Sequence, residues 1–191
     1  IASPHQLRRR DLVRVGRRAH QLLARLEQIT STDALTQLPN RRRFSEELDR
    51  EHGRASRAWD SYAVLRIDVD GLAAINAELG QPRGDEVLEQ VAERLQAGRR
   101  EYDLLARWEG DEFVLLVPGA DATGTQVIAQ RMAENVCAEP LEIGVMRTVT
   151  VTIGAAVWVP PSGESGLDVL ARAGAALATA QARGDHQLEL V

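Results

Sequence analysis

The chain has 191 residues, 44% of them hydrophobic and 4% aromatic, and a formal net charge of −5, which suits one good core plus an appendage. The single cysteine, Cys137, excludes a disulfide within the chain and points to a reducing compartment, while no apolar stretch is long enough to cross a bilayer. The histidines His5, His20, His52 and His186 are scattered without ligand spacing, which argues against a histidine zinc site, and all 23 basic residues are arginine, so no role here falls to lysine.

Residues 1 to 30 hold seven arginines against Asp11 and Glu27, about +5, leaving about −10 on the remainder. Such an arm can contact nucleic acid or anionic lipid. A stronger pattern overrides that: Leu12, Val15, Ala19, Leu22, Leu26 and Ile29 step by three and four residues, an a/d seam flanked by Arg14, Arg17, Arg18 and Arg25. The seam predicts either a parallel coiled coil or a terminal helix lying on its own domain. We expect a signalling helix over 1–32 that forms a homodimer, a folded domain over 33–191, and no contact of this fragment with nucleic acid or membrane. Because the chain opens at Ile1 without an initiator methionine or a secretory pattern, we expect a piece of a longer protein.

Thr30-Ser31-Thr32-Asp33 breaks the heptads, and Leu38-Pro39-Asn40 predicts a turn before a helix from about Arg41 to Ala55. A strand over Tyr62 to Val69 leads into the acidic turn Asp68-Val69-Asp70-Gly71. A short helix from Ala73 to Leu79 ends at Gly80, and an amphipathic helix from Asp85 to Gln96 aligns Val87, Leu88, Val91, Ala92 and Leu95. A hairpin follows around Glu109-Gly110, then a helix from about Thr123 to Ala138, a strand from Thr148 to Val159, a helix from about Leu167 to Ala182 and a final strand from Gln187 to Val191. This alternation with one embedded hairpin predicts an α+β fold with helices on a mixed central sheet.

The hairpin carries two adjacent carboxylates, Asp111 and Glu112, just past its turn. Such a pair can hold a divalent cation or be an ordinary solvated tip.

Several short motifs then fall into one known order. Asp33-Ala34-Leu35-Thr36-Gln37-Leu38-Pro39-Asn40-Arg41-Arg42 resembles the "DxLTGLPNRR" opening of the GGDEF family. Asp68-Val69-Asp70-Gly71-Leu72 with Asn76, Gly80 and Gly84-Asp85 resembles its "DxDxFKxxND…GH…GD" stretch. Glu109-Gly110-Asp111-Glu112-Phe113 stands at the name-giving motif, and Val149-Thr150-Val151-Thr152-Ile153-Gly154 resembles the "vTvSiG" strand. The resemblance covers roughly residues 33 to 188. It implies a fold similar to the palm of nucleotidyl cyclases and polymerases, a bacterial cytoplasmic setting, alone or within a larger protein, and a dimer joining two GTP into cyclic di-GMP with release of pyrophosphate.

It also implies roles. A 3′-hydroxyl attacks the opposing α-phosphorus, which calls for a hard cation, Mg²⁺ or Mn²⁺, on oxygen ligands. By position these are Asp68 and Asp111 with the Val69 carbonyl, and Glu112 assists the metal or the hydroxyl; Asp70 is read as structural. Asn76 and Asp85 match the guanine-reading positions, with Gly71 and Leu72 in the same substrate segment; without the family, Asn76 is a plain helix residue and Asp85 a helix cap. Arg100-Glu101-Tyr102-Asp103 matches the RxxD inhibitory site, where Arg100 and Asp103 would hold cyclic di-GMP; the bland alternative is a solvated ion pair.

The departures concern the phosphates. Ala73 stands where the family has lysine, Ala77 where it has aspartate, and Gln181 and Asp185 replace the lysine and arginine of its C-terminal motif. Each lost charge-assisted phosphate contact costs about 1.5 to 3 kcal/mol. Arg183 and Arg66 are candidate replacements, Arg66 by alternation onto the Asp68 face, though it could equally pair with a carboxylate. Glu109 replaces the first glycine, at a cost of about 1 kcal/mol if that position needs positive φ. Two functions stay open: a weak diguanylate cyclase, or an inactive domain that senses cyclic di-GMP or GTP and regulates an attached module.

Overall fold

The structure is a computed structural model and describes residues 31–191. The expected coiled coil lies outside the described residues. The turn at Leu38-Pro39-Asn40 ends in a cap: the Asn40 side chain accepts the Arg43 N–H at 3.1 Å and starts helix α1 (Arg41–Ala58). Strand β1 (Tyr62–Val69) leads into helices α2 (Leu72–Leu79) and α3 (Gln81–Gly98), followed by the hairpin β2 (Leu104–Glu109) and β3 (Glu112–Pro118). Helix α4 (Ala122–Cys137), a short ribbon of β4 (Leu141–Glu142) and β5 (Met146–Arg147), strand β6 (Val151–Trp158), helix α5 (Gly166–Gln181) and strand β7 (Leu188–Leu190) complete the chain.

Five strands form one sheet in the order β2-β3-β1-β6-β7, antiparallel throughout except for the parallel β6–β7 pair. The expected mixed α+β sheet is therefore present. Strand β1 is central and covered on both faces, which is why it reads as a nearly unbroken apolar run. Leu65, Ile67, Phe113, Leu115 and Ile153 pack beneath α2, α3 and α4, and Val64, Val114 and Ala156 beneath α1 and α5. A Cβ on Gly154 would fall 2.0 Å from the Leu177 backbone nitrogen, so α5 lies directly on β6. No helix among the described residues is long and apolar enough to cross a membrane.

Two element starts and one whole element differ most from expectation. Helix α3 begins at Gln81, because Gly80 turns the chain at φ 89° and Pro82 is tolerated in a first turn, so Asp85 lies inside the helix and does not cap it. Strand β6 begins at Val151, opposite the last residue of β1, while Thr150 serves the Asp70 turn through its carbonyl. The β4–β5 ribbon was not expected, since two residues per strand carry no periodicity.

Candidate active site

Cross-strand register brings the acidic motifs together. Asp68 and Glu112 are direct partners on β1 and β3, on the sheet face that α5 covers. Asp111 belongs to the turn itself, and its carbonyl accepts the Val69 N–H at 3.2 Å, tying the hairpin tip to the end of β1. Gly110 takes the positive φ of that turn, 57°. Glu109 is not among the described non-glycine residues with positive φ, so the strain expected there is absent; its carboxylate lies 3.6 Å from Arg41 in an exposed pair. Arg107 braces the tip, donating from Nε to the Gly110 carbonyl at 2.8 Å with Nη1 3.5 Å from Asp33 Oδ1.

Burial, and then the nearby charge of Asp111, push the Asp68 carboxyl up to about 6; a hydrogen bond from Gln181 opposes this and the charges of Glu112 and Asp70 add to it. Such crowding of half-buried carboxylates is what a hard divalent cation would relieve, so Asp68 and Asp111 suit one. Among the described residues, no three acidic, histidine or cysteine side chains form a ready metal cluster. Glu112 is engaged elsewhere, gripped through both carboxylate oxygens by Arg66, with Nη2 to Oε2 at 2.5 Å. The alternation of Arg66 onto the Asp68 face is as expected, and its partner is a carboxylate. Asp70 is structural: it accepts from the Thr150 and Thr152 hydroxyls at 2.6 and 2.7 Å and from the His186 N–H at 2.9 Å.

At the end of the sheet, a cleft of about 400 Å³ opens between α2, α3 and the hairpin tip. Leu72, Ala73 and Asn76 from α2, Asp85 and Leu88 from α3, and Arg107 and Asp111 from the hairpin line it. The Asn76 Oδ1 is buried without a hydrogen-bond partner. Gly84 makes its place, since a Cβ there would lie 1.9 Å from that oxygen. Asp68 and Glu112 do not line this cleft; Asp111 alone of the three does. Gly71 supplies the φ 73° entry to α2, and its carbonyl accepts the Ala74 and Ile75 N–H groups.

The family model for "Diguanylate cyclase, GGDEF domain" matches residues 30–187. The chain belongs to the GGDEF family.

The chain is similar to diguanylate cyclase TpbB of Pseudomonas aeruginosa, 40% identical over 167 residues that cover 82% of this chain and 37% of that protein. It is also similar to the bifunctional diguanylate cyclase/cyclic di-GMP phosphodiesterase MucR of the same organism, at 33% identity over 83% of this chain and 23% of the relative. The chain thus spans between about a quarter and two fifths of the length of these relatives. Among solved structures, the coiled coil and GGDEF domain of DgcB from Caulobacter crescentus, in complex with c-di-GMP, aligns with a TM-score of 0.80 at 26% identity, covering 99% of this chain and all of that one (100%).

In this GGDEF domain the residues at the positions expected to hold phosphate, and the arginine expected to replace them, meet other partners. Gln181, the last residue of α5, sits beside Asp68 and favours its charged form. Arg183 turns along β7, 2.8 Å from Glu189 and donating to the Leu188 carbonyl at 3.0 Å. Asp185 offers its carbonyl to Gln187 Nε2 at 3.0 Å. Neither arginine proposed as a replacement is turned to the cleft.

At the RxxD motif, Asp103 is 5% exposed and accepts the Arg100 backbone N–H at 2.7 Å, closing the turn from α3 into β2. No Arg100–Asp103 ion pair forms. A larger cleft of about 510 Å³ runs beside Asp103 between α1 and the α3–β2 turn, where Arg50 and Arg54 already pair with Glu47 and Glu51. Arg131 on α4 escaped the sequence reading. Its Nε and Nη2 are buried without hydrogen-bond partners, one residue from Met132, whose sulfur would lie 3.1 Å from a Cβ on Gly98. It is the one arginine of α4, and a lone arginine on a helix gives no signal by which to find it.

Proposed function

We propose that this GGDEF domain is a slow diguanylate cyclase that joins two GTP into cyclic di-GMP across a homodimer. The observation that carries the proposal is the buried, unpartnered Asn76 Oδ1 in a cleft shared by Asp85 and Asp111. A buried acceptor without a donor is costly, and the guanine edge offers N1 and N2 hydrogens to Asn76 and Asp85. In this proposal Leu72 and Gly71 shape the floor beside the base, and Asp111 faces the phosphates at the cleft mouth. Asp68, Asp111 and the Val69 carbonyl would hold Mg²⁺ or Mn²⁺, which supplies charge neutralisation at the phosphates and a more acidic attacking hydroxyl. Glu112 stands ready to assist once its own partner releases it. Low turnover follows from the Gln181 and Asp185 replacements, which leave the triphosphate short of cations.

Dimerisation through the 1–32 helix, a cytoplasmic location, and a product site at Arg100 and Asp103 belong to the same proposal. For the product site, the Asp103 carboxylate must leave the Arg100 N–H or share it.

The engagement of Glu112 by Arg66 favours a second reading, a non-catalytic domain that binds GTP or cyclic di-GMP and signals to an attached module. Incubation of the purified protein with GTP and Mg²⁺, with chromatography for cyclic di-GMP and calorimetric titration of GTP and cyclic di-GMP, separates the two. Product at any rate above a Glu112→Gln control supports the cyclase; nucleotide binding without product supports the sensor.

A further inference from the structure

Arg66 occupies a built slot. Its guanidinium is forked onto both oxygens of Glu112, the two side chains are 21% and 16% exposed, and its Cζ stands 5.5 Å from the Trp108 ring centroid. On the helix above, Gly174 leaves the room, since a Cβ there would fall 2.9 Å from Arg66 Nη1. Trp108 is itself braced, edge-on to Phe44 at 6.0 Å and beneath Arg41 at 4.4 Å. The fork is thus confined from the strand side, the ring side and the helix side.

We propose that Arg66 is a positioning residue that withholds Glu112 from the divalent cation and so keeps the metal site weak. The inference rests on the metal reading of Asp68 and Asp111 above. Glu112 lies directly across from Asp68 in the ladder and on the same sheet face, which puts its carboxylate within side-chain reach of an ion held there. To recruit it, the cation must leave a partly buried guanidinium unpaired beside a double positive charge, which is far costlier than parting a solvated pair. A bidentate guanidinium also fixes the carboxylate plane, which a single lysine amine would not do.

The test titrates Mn²⁺ alone into the protein without nucleotide, reading free Mn²⁺ by electron paramagnetic resonance and folding by circular dichroism. Arg66→Met, which fills the slot without charge, should tighten Mn²⁺ binding by about tenfold or more, equivalent to about 1.4 kcal/mol. Adding Glu112→Gln to it should remove that gain. Gly174→Ala keeps the charge but displaces the guanidinium, and it should shift affinity the same way by a smaller factor; it carries the test should Arg66→Met fail to fold. Mn²⁺ binding in the parent with less than a twofold change in folded variants overturns the positioning role alone. No Mn²⁺ binding in parent or variants overturns the metal reading and this inference together.

Discussion

Gly84 lies against the amide of Asn76 so closely that a Cβ would fall 1.9 Å from Asn76 Oδ1 and 2.8 Å from its Cγ. The two residues sit on consecutive helices joined at Gly80, so the amide proposed to read the base is seated by a missing side chain on the next helix. Gly84→Ala should therefore turn the Asn76 amide out of the cleft. The helix gains up to about 1 kcal/mol from alanine, so stability should hold or rise, while guanine-nucleotide binding should weaken by about 1 to 3 kcal/mol. Thermal melts beside calorimetric titration of GMP check this; unchanged GMP affinity would remove Asn76 from base recognition.

Asp33 joins the start of the domain to the hairpin tip. Its Oδ1 accepts the Thr36 N–H at 2.8 Å and the Thr36 hydroxyl at 2.7 Å, and it lies 3.5 Å from Arg107 Nη1, whose guanidinium also braces the Gly110 carbonyl. Asp33→Ala should destabilise the fold by about 1 to 3 kcal/mol, because largely buried donors are left behind, and Asp33→Asn should cost less. Urea midpoints measure both, and an alanine variant within about 0.5 kcal/mol of the parent would refute the coupling.

The Asp68 carboxyl, raised to about 6 chiefly by burial, makes the metal-free fold pH-dependent in a stated direction. A group whose folded pKa is raised contributes stability that is fully present below the unfolded value and is lost as pH rises through the folded one. In the presence of a chelator, the urea midpoint should fall as pH rises from 4 to 7, most steeply at about 5, midway between the unfolded and folded values. Asp68→Asn should flatten that segment of the profile; an unaltered slope would assign the dependence to other groups.

The loss of phosphate cations is tested by returning them. In Gln181→Lys/Asp185→Arg, the lysine amine would replace the amide now beside Asp68, and GTP affinity should rise relative to GMP by about 1.5 to 3 kcal/mol, roughly 10- to 150-fold. Competition titrations of GTP against GMP give the ratio directly. An unchanged ratio would mean that the terminal phosphates do not reach the end of α5.

Much of the candidate site was legible because its information is local. The pairing of Asp111 with Glu112 at a glycine turn, the DxD step at the end of an apolar strand, and the Leu38-Pro39-Asn40 turn before a helix are each set by neighbours a few residues apart, and family order joins them. Even the face shared by Arg66 and Asp68 follows from strand alternation alone.

What the tertiary structure decided is who meets whom across the sheet and between helices. Sequence left Arg66 between a phosphate and a carboxylate; the β1–β3 register and the slot at Gly174 chose Glu112. Asp103 looked like one half of an ion pair, yet burial turned it to the Arg100 backbone. Asp85 looked like a cap until Gly80 and Pro82 opened α3 four residues earlier, at Gln81, and left the carboxylate on the cleft. These outcomes depend on distances between segments far apart in the chain and on which groups lose water on packing, and neither quantity is written in any local run of residues.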